Sequence, residues 1–74
     1  MSQLRYELGL TIRRVREGAG YTQESFADSI QVHRNYMGSV ERGETNITLD
    51  RLEQIAKGLG LTVAELLKQA ERTR

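Results

Sequence analysis

The apolar positions of this chain recur every three or four residues, in five blocks separated by glycine or by short polar residues suited to starting a helix. That spacing places the apolar side chains of each block on one face of an α-helix. The chain contains no proline, and the alternation of apolar and polar residues that is typical of β-strands is scarce. The pattern therefore predicts an all-α, compact five-helix fold.

The first three predicted helices cover residues 3–17, 23–29 and 34–42. The segment Gly18-Ala19-Gly20 ends the first helix, because glycine adopts positive φ at little cost. Thr22 is the expected N-cap of the second helix. The side chains expected to face inward are Leu4, Leu8, Ile12 (or Thr11) and Val15, then Phe26, Ala27 and Ile30, then Met37 and Val40.

Two further helices complete the predicted fold. Thr48 caps the fourth, which ends near Gly58, and Thr62 caps the fifth, where Glu65 completes a capping-box pattern. The polar segment at residues 71–74 is expected to fray. The apolar stripes of these helices are Leu49, Leu52, Ile55 and Ala56 in the fourth, and Leu66, Leu67 and Ala70, flanked by Val63, in the fifth.

Length and composition limit the classes of protein that fit. A chain of 74 residues forms one domain, assigned here to residues 1–74. There is no cysteine and a single histidine, so the three or four ligands of a typical zinc site are not available, and no cofactor is expected. The apolar runs are far too short for a membrane span or a signal region. The net charge of +1 means that any DNA-binding field must come from where the charges are placed.

The most informative segment is residues 21–43, which reads as two short helices joined by the tight turn Ile30-Gln31-Val32. The second of these helices starts with an exposed Arg34-Asn35 pair. Arginine can bond two acceptors on guanine, and asparagine can bond an acceptor and a donor on adenine. The segment therefore predicts a helix that enters a DNA major groove by its N-terminal end.

Four segments then resemble one family. Residues 22–27 (Thr-Gln-Glu-Ser-Phe-Ala), 32–37 (Val-His-Arg-Asn-Tyr-Met), 40–44 (Val-Glu-Arg-Gly-Glu) and 49–56 (Leu-Asp-Arg-Leu-Glu-Gln-Ile-Ala) are similar in order and spacing to the lambda-repressor/Cro-like (XRE-type) helix-turn-helix family. The resemblance extends from about residue 8 to residue 67. It implies a domain that dimerises on a two-fold operator in double-stranded DNA. The short length and the opening of the third helix also resemble controller proteins of restriction–modification systems.

The resemblance implies roles for individual residues. The base-reading positions are Arg34, Asn35 and Ser39. The predicted DNA-backbone contacts are Gln23, His33, Tyr36, Arg42, Thr45 and Asn46. Four of these have open alternatives: His33 could instead cap the third helix, Tyr36 could be half-buried packing, and Thr45 and Asn46 could serve the turn they occupy.

The fifth helix carries the predicted dimer interface. Its apolar residues are core candidates first, but in so small a domain not all of them are expected to point inward. The exposed remainder would then pair with a second copy. The residues assigned to this interface are Val63, Leu66, Leu67 and Ala70.

Two other features carry less specific expectations. Gly38 stands mid-helix where the family usually has a polar residue, which costs about 1 kcal/mol relative to alanine. Either a backbone passes close to it or the position makes no contact. The basic run Arg13-Arg14-Arg16 is expected to be a solvated surface of the first helix, with a phosphate-facing role for one arginine as the alternative.

The sequence thus predicts a homodimeric transcription regulator that reads half-sites about 34 Å apart on a palindromic operator. If the narrower resemblance holds, it would control its own promoter and that of a restriction gene. No enzyme activity or small-molecule ligand is expected, since the helices offer neither a nucleophile elbow nor a pocket. No membrane partner is expected either. The expected location is the cytoplasm, on the nucleoid. An antitoxin or a protein-interaction module with the same fold remains the alternative, because the net charge is close to neutral.

Overall fold

The computed structural model describes residues 3–72 and contains five α-helices over that range. They are α1 (Gln3–Gly18), α2 (Gln23–Ser29), α3 (Arg34–Glu41), α4 (Leu49–Gly58) and α5 (Val63–Arg72). The predicted all-α five-helix fold is confirmed, with α1 one residue longer and α3 one residue shorter than expected. Residues 71 and 72 of the predicted polar tail continue α5, while Thr73 and Arg74 lie outside the described residues.

Side-chain caps explain where the helices begin. The Thr22 hydroxyl accepts from the backbone N–H of Ser25, whose hydroxyl in turn accepts from the backbone N–H of Thr22, so two otherwise free N–H groups are satisfied. Thr62 and Glu65 form the predicted capping box at α5, with bonds of 2.9 and 3.0 Å. These contacts are local in sequence, which is why the chain alone could predict them.

The core lies between α1, α5 and the α2–α3 pair, and it is built from the predicted inward faces. α1 packs mainly on α5 and also crosses α3. The buried apolar side chains of the described residues are Leu8, Ile12, Phe26, Ala27, Ile30, Met37, Val40, Leu52, Ile55, Ala56, Leu66 and Ala70. The helix-turn-helix is thus held on a rigid base of α1, α4 and α5.

Leu49 departs from the predicted pattern. It was expected to join the inward stripe of α4, but its side chain is 77% exposed. The physical reason is its place at the first position of α4, beyond the edge of the core, which that helix reaches only from Leu52 onward. The helical period of α4 was predicted correctly, but the period does not show where the packed surface of the helix ends.

The turn between α2 and α3 contains a backbone conformation that residues other than glycine rarely adopt. Gln31 has φ of 61°. The turn is closed by the Val32 N–H, which donates to the Ala27 carbonyl at 2.9 Å, and by the Gln54 side chain, which donates to the Ile30 carbonyl. A left-handed conformation at a residue with a Cβ costs roughly 1–2 kcal/mol.

We therefore expect Gln31→Gly to stabilise the protein by about 0.5–1 kcal/mol, because relief of this strain exceeds the extra entropy that glycine loses on folding. Thermal unfolding followed by circular dichroism would measure the gain. Gln31→Ala is the matched control, since alanine retains the Cβ and should show no gain. Equal stability of the two variants would contradict a strained turn.

Candidate nucleic-acid interface

The N-terminal tip of α3 is exposed, as the sequence predicted. The side chains of His33, Arg34 and Asn35 all lie on the surface. His33 is the N-cap, and its Nδ1 accepts from the backbone N–H of Asn35 at 3.0 Å. His33 therefore takes its predicted alternative role as a helix cap. The cap uses Nδ1, and the other ring nitrogen, Nε2, takes no part in it.

Arg34 has one charged neighbour that the sequence analysis did not identify. Its Nη1 lies 3.7 Å from the Glu24 carboxylate on α2, and both side chains are mostly exposed. An exposed pair at this distance stabilises by about 0–1 kcal/mol and is weakened by salt. The guanidinium can therefore leave Glu24 at little cost.

Ser39 and Thr45 are joined to each other. The Ser39 hydroxyl donates to the Tyr36 carbonyl at 2.8 Å, so in the hydrogen bond between the two hydroxyls Thr45 is the donor. Both side chains are half-buried, whereas Asn46 is exposed. The bond ties α3 to the loop that follows it, and a base contact from Ser39 would have to use the remaining lone pair of its hydroxyl.

Tyr36 combines the two roles that the sequence left open. Its ring is half-buried, with the Arg51 guanidinium 5.6 Å from the ring centre. Burial raises the pKa of the Tyr36 hydroxyl, and the positive charge of Arg51 opposes that shift. A tyrosine is protonated near neutral pH even without this shift, so the phenol can donate a hydrogen bond.

Gln23 belongs to a buried polar network that sequence reasoning missed. Its Nε2 donates to Glu41 Oε1 at 2.9 Å, and Glu41 also accepts two bonds from Arg16, at 2.6 and 2.9 Å. Arg16 donates further to the Tyr21 carbonyl at 2.8 Å. The hydrogen bond to Glu41 raises the pKa of Arg16, and burial opposes this rise.

The basic run of α1 divides into separate environments. Arg16 is buried against Glu41, which corrects its placement on a solvated surface. Arg13 pairs with Glu17 at 3.3 Å, and Arg14 donates to Gln69 at 3.4 Å; both arginines are exposed, as expected. The sequence did contain a sign that Arg16 is buried. Arg16 lies four residues after the core residue Ile12, and Glu41 lies four residues after Met37, so each falls on the inward face of its helix.

Gly38 has no backbone of another element close to it, so the first predicted alternative is wrong, while the second, that the position makes no contact, stays a prediction. Its place is buried, and the atoms nearest to where a side chain would begin are ends of the Arg42 and Gln23 side chains rather than backbone. Arg42 itself is the C-cap of α3 and exposed, with its Nε 3.1 Å from Glu44 Oε1. Two predicted backbone contacts, Gln23 and Arg42, therefore lie side by side.

The predicted dimer strip on α5 is divided by burial. Leu66 and Ala70 are fully buried in the core of the subunit. Val63 and Leu67 are half-buried and keep part of their apolar surface accessible. Within the predicted strip, only these two side chains offer surface to a partner without opening the core.

Over the described residues no helix has the length and apolarity needed to cross a membrane.

Comparison with known proteins is consistent with this geometry. The helix-turn-helix family model matches residues 12–66, most of the chain. Control protein C.MunI from Mycoplasma sp. is 37% identical over 73 residues, covering 97% of this chain and 99% of that protein. The restriction–modification controller C.AhdI from Aeromonas hydrophila superposes with a TM-score of 0.79 at 33% identity, covering 82% of this chain and 92% of that one.

A third comparison involves a structure with DNA. The controller C.Esp1396I, as a tetramer in complex with its natural 35 base-pair operator, has a TM-score of 0.87 and 29% identity, covering 97% of this chain and 95% of that one. The chain belongs to the helix-turn-helix family, in the lambda-repressor/Cro-like (XRE-type) class of DNA-binding transcription regulators. The narrower resemblance to restriction–modification controllers, predicted from its length and the start of α3, is also confirmed.

Proposed function

We propose that this protein is a sequence-specific transcription regulator that binds a palindromic operator as a homodimer. The observation that carries the proposal is the exposed Arg34-Asn35 tip at the capped start of α3. Both side chains have the donors and acceptors that read base edges in the major groove. The tip is free of the core, so a base edge can reach it without any rearrangement of the fold.

The remaining site residues are proposed to contact the DNA backbone around that tip. Gln23, Arg42 and Asn46 lie on both sides of α3 in sequence and are at least partly accessible. His33 and Tyr36 can each add a donor from the same region, whereas the Thr45 hydroxyl would first have to leave Ser39, to which it donates. Contacts to phosphates position the protein and carry no sequence information, whereas Arg34, Asn35 and, secondarily, Ser39 would specify the operator.

The dimer is proposed to form through the accessible parts of Val63 and Leu67. A two-fold pair would set the two α3 tips to read half-sites about 34 Å apart, one turn of the duplex. The tetramer on operator DNA formed by C.Esp1396I shows that a chain of this fold assembles on its site. Because C.MunI matches this chain over nearly its whole length, we further propose the same class of role, an autoregulatory controller of a restriction–modification system.

In this function the chain needs no catalysis, cofactor or small-molecule ligand. Control would then come from the concentration of the protein itself, through dimerisation and operator filling. A regulator of this kind works on the nucleoid in the cytoplasm.

Titration of duplexes selected from a random pool tests the function directly. Binding should show two subunits per palindromic site, and affinity should fall steeply between about 50 and 200 mM salt, as counterions are released from the phosphates. Affinity that hardly changes with salt, or no enrichment of any sequence, would instead favour a protein-interaction module.

The residue roles predict two different mutant patterns. Arg34→Ala should cost about 1–3 kcal/mol at the preferred site and relax specificity at one base pair of each half-site. Gln23→Ala should weaken all operator variants evenly and lower the salt slope by roughly one. Affinities for a panel of single-base operator variants, measured by fluorescence anisotropy, would separate the patterns.

The matched control is Lys57→Ala, which also removes one exposed positive charge, in the last turn of α4 and outside the residues proposed to contact DNA. It should leave both affinity and base preference nearly unchanged. The assigned roles would be wrong if Arg34→Ala and Gln23→Ala had the same effect on every operator variant.

A further inference from the structure

Gly38 creates an unusual space on α3. It lies in the interior of the helix, where glycine is less favourable than alanine. A Cβ placed on Gly38 would be 3.1 Å from Arg42 Nη1 and 3.6 Å from Gln23 Oε1. The volume that any side chain at this position would need is therefore bordered by the ends of two polar side chains, one from α3 and one from α2.

Each of these two side chains also donates a hydrogen bond to a carboxylate. Arg42 donates through Nε to Glu44 Oε1 at 3.1 Å, which leaves the N–H groups of its two Nη atoms for other acceptors. Gln23 donates through Nε2 to Glu41 Oε1 at 2.9 Å. Because a carboxylate only accepts, Glu41 holds Nε2 of the Gln23 amide on its own side, and Oε1, an acceptor, faces Gly38.

We propose that Gly38 is a positioning residue that lets Arg42 contact a DNA phosphate beside Gln23. Without a side chain at position 38, the Arg42 guanidinium lies back against α3 beside Gln23. The N–H groups of its two Nη atoms then form a forked donor site for a single anion. The inference rests on the proposed function, since the phosphate is that of the operator backbone.

Substitution of the glycine tests the inference. Gly38→Ala should raise the thermal stability or leave it unchanged, because the added methyl group meets only the flexible ends of side chains and alanine favours the helix. The same change should displace the Arg42 guanidinium. Affinity for all operator variants should then fall by about 5- to 10-fold, with a smaller salt slope and unchanged base preference.

The matched control is Gly18→Ala, at the exposed end of α1, where no atom lies within 4 Å of the added Cβ. It should not change DNA affinity. In the Arg42→Ala background, adding Gly38→Ala should cost no further affinity, because the residue acts through Arg42. A purely structural role for Gly38 would not produce this dependence.

The outcomes separate this inference from the proposed function. Unchanged affinity of Gly38→Ala, or equal losses in the presence and absence of Arg42, would overturn the positioning role. If Gln23→Ala and Arg42→Ala still weakened binding, the proposed backbone contacts would stand. If neither of these weakened binding while Arg34→Ala did, the phosphate site would be wrong and base reading would remain.

Discussion

Replacing Glu41 with alanine is expected to destabilise the protein by about 3–5 kcal/mol, because it leaves the charge of Arg16 buried without its partner. The two side chains are only 6% and 3% exposed, and they are joined by two bonds in a bidentate arrangement. At about 4–8 °C per kcal/mol for a domain of this size, the melting temperature should fall by roughly 12–40 °C. Thermal and urea unfolding would measure the loss.

The control is Glu44→Ala, which removes a carboxylate from an exposed pair of the same chemistry. Its bond to Arg42 is 3.1 Å long, but both side chains are more than half exposed. Exposed pairs contribute about 0–1 kcal/mol, so this variant should remain close to the parent protein in stability.

A double variant separates the cost of an unpaired charge from the worth of the pair. Arg16→Met with Glu41→Leu removes both charges and fills the site with apolar side chains, which is often neutral or stabilising. It should be clearly more stable than Glu41→Ala alone. A loss below about 1 kcal/mol for Glu41→Ala would mean that Arg16 finds water or another acceptor in the variant.

The sequence predicted what depends on near neighbours along the chain. The capping contacts of Thr22 and Thr62 act over three residues, and the ends of α1 to α4 lie within one residue of those expected, whereas α5 extends two residues further. The exposed tip at Arg34 and Asn35 follows from the same local logic, because the inward pair Met37 and Val40 fixes which side of α3 faces the core. These features require only helical geometry and the turn that precedes it.

Features that depend on distant pairs were not predictable in the same way. Arg16 and Glu41 are 25 residues apart, and only the crossing of α1 with α3 brings them together. Each of these charged residues falls on the inward face of its helix. In the sequence pattern such a residue only interrupts an apolar stripe, and nothing identifies its partner. The same holds for Gly38, whose surroundings are set by Gln23 from another helix.

The extent of the dimer strip shows a different limit. Periodicity places Leu66, Leu67 and Ala70 on or near one face of α5, but it cannot say how much of that face α1 covers. The structure buries Leu66 and Ala70 completely and leaves Leu67 half accessible. Burial depends on the neighbouring helix, so the partition between core and partner surface appears only in three dimensions.

Gly9→Ala is expected to destabilise the protein by about 2–3 kcal/mol, although alanine is the better helix former. The added Cβ would lie 2.6 Å from the carbonyl oxygens of both Val40 and Glu41. These are backbone atoms at the end of α3, and they cannot turn aside as a flexible side chain can. Relief therefore requires α1 and α3 to move apart, which also opens the core contacts of Leu8 and Ile12.

Gly18→Ala is the control for this change as well, because it makes the same substitution at the C-terminal end of α1 without any contact. It should be neutral or slightly stabilising, so the difference between the two variants isolates the helix crossing from helix propensity. Comparison of their unfolding curves in urea would measure it. If Gly9→Ala proved as stable as Gly18→Ala, the close approach of α1 to α3 would be wrong. The orientation of the Arg34-Asn35 tip depends on how α3 packs on the domain. Contacts other than this helix crossing would then have to fix that packing.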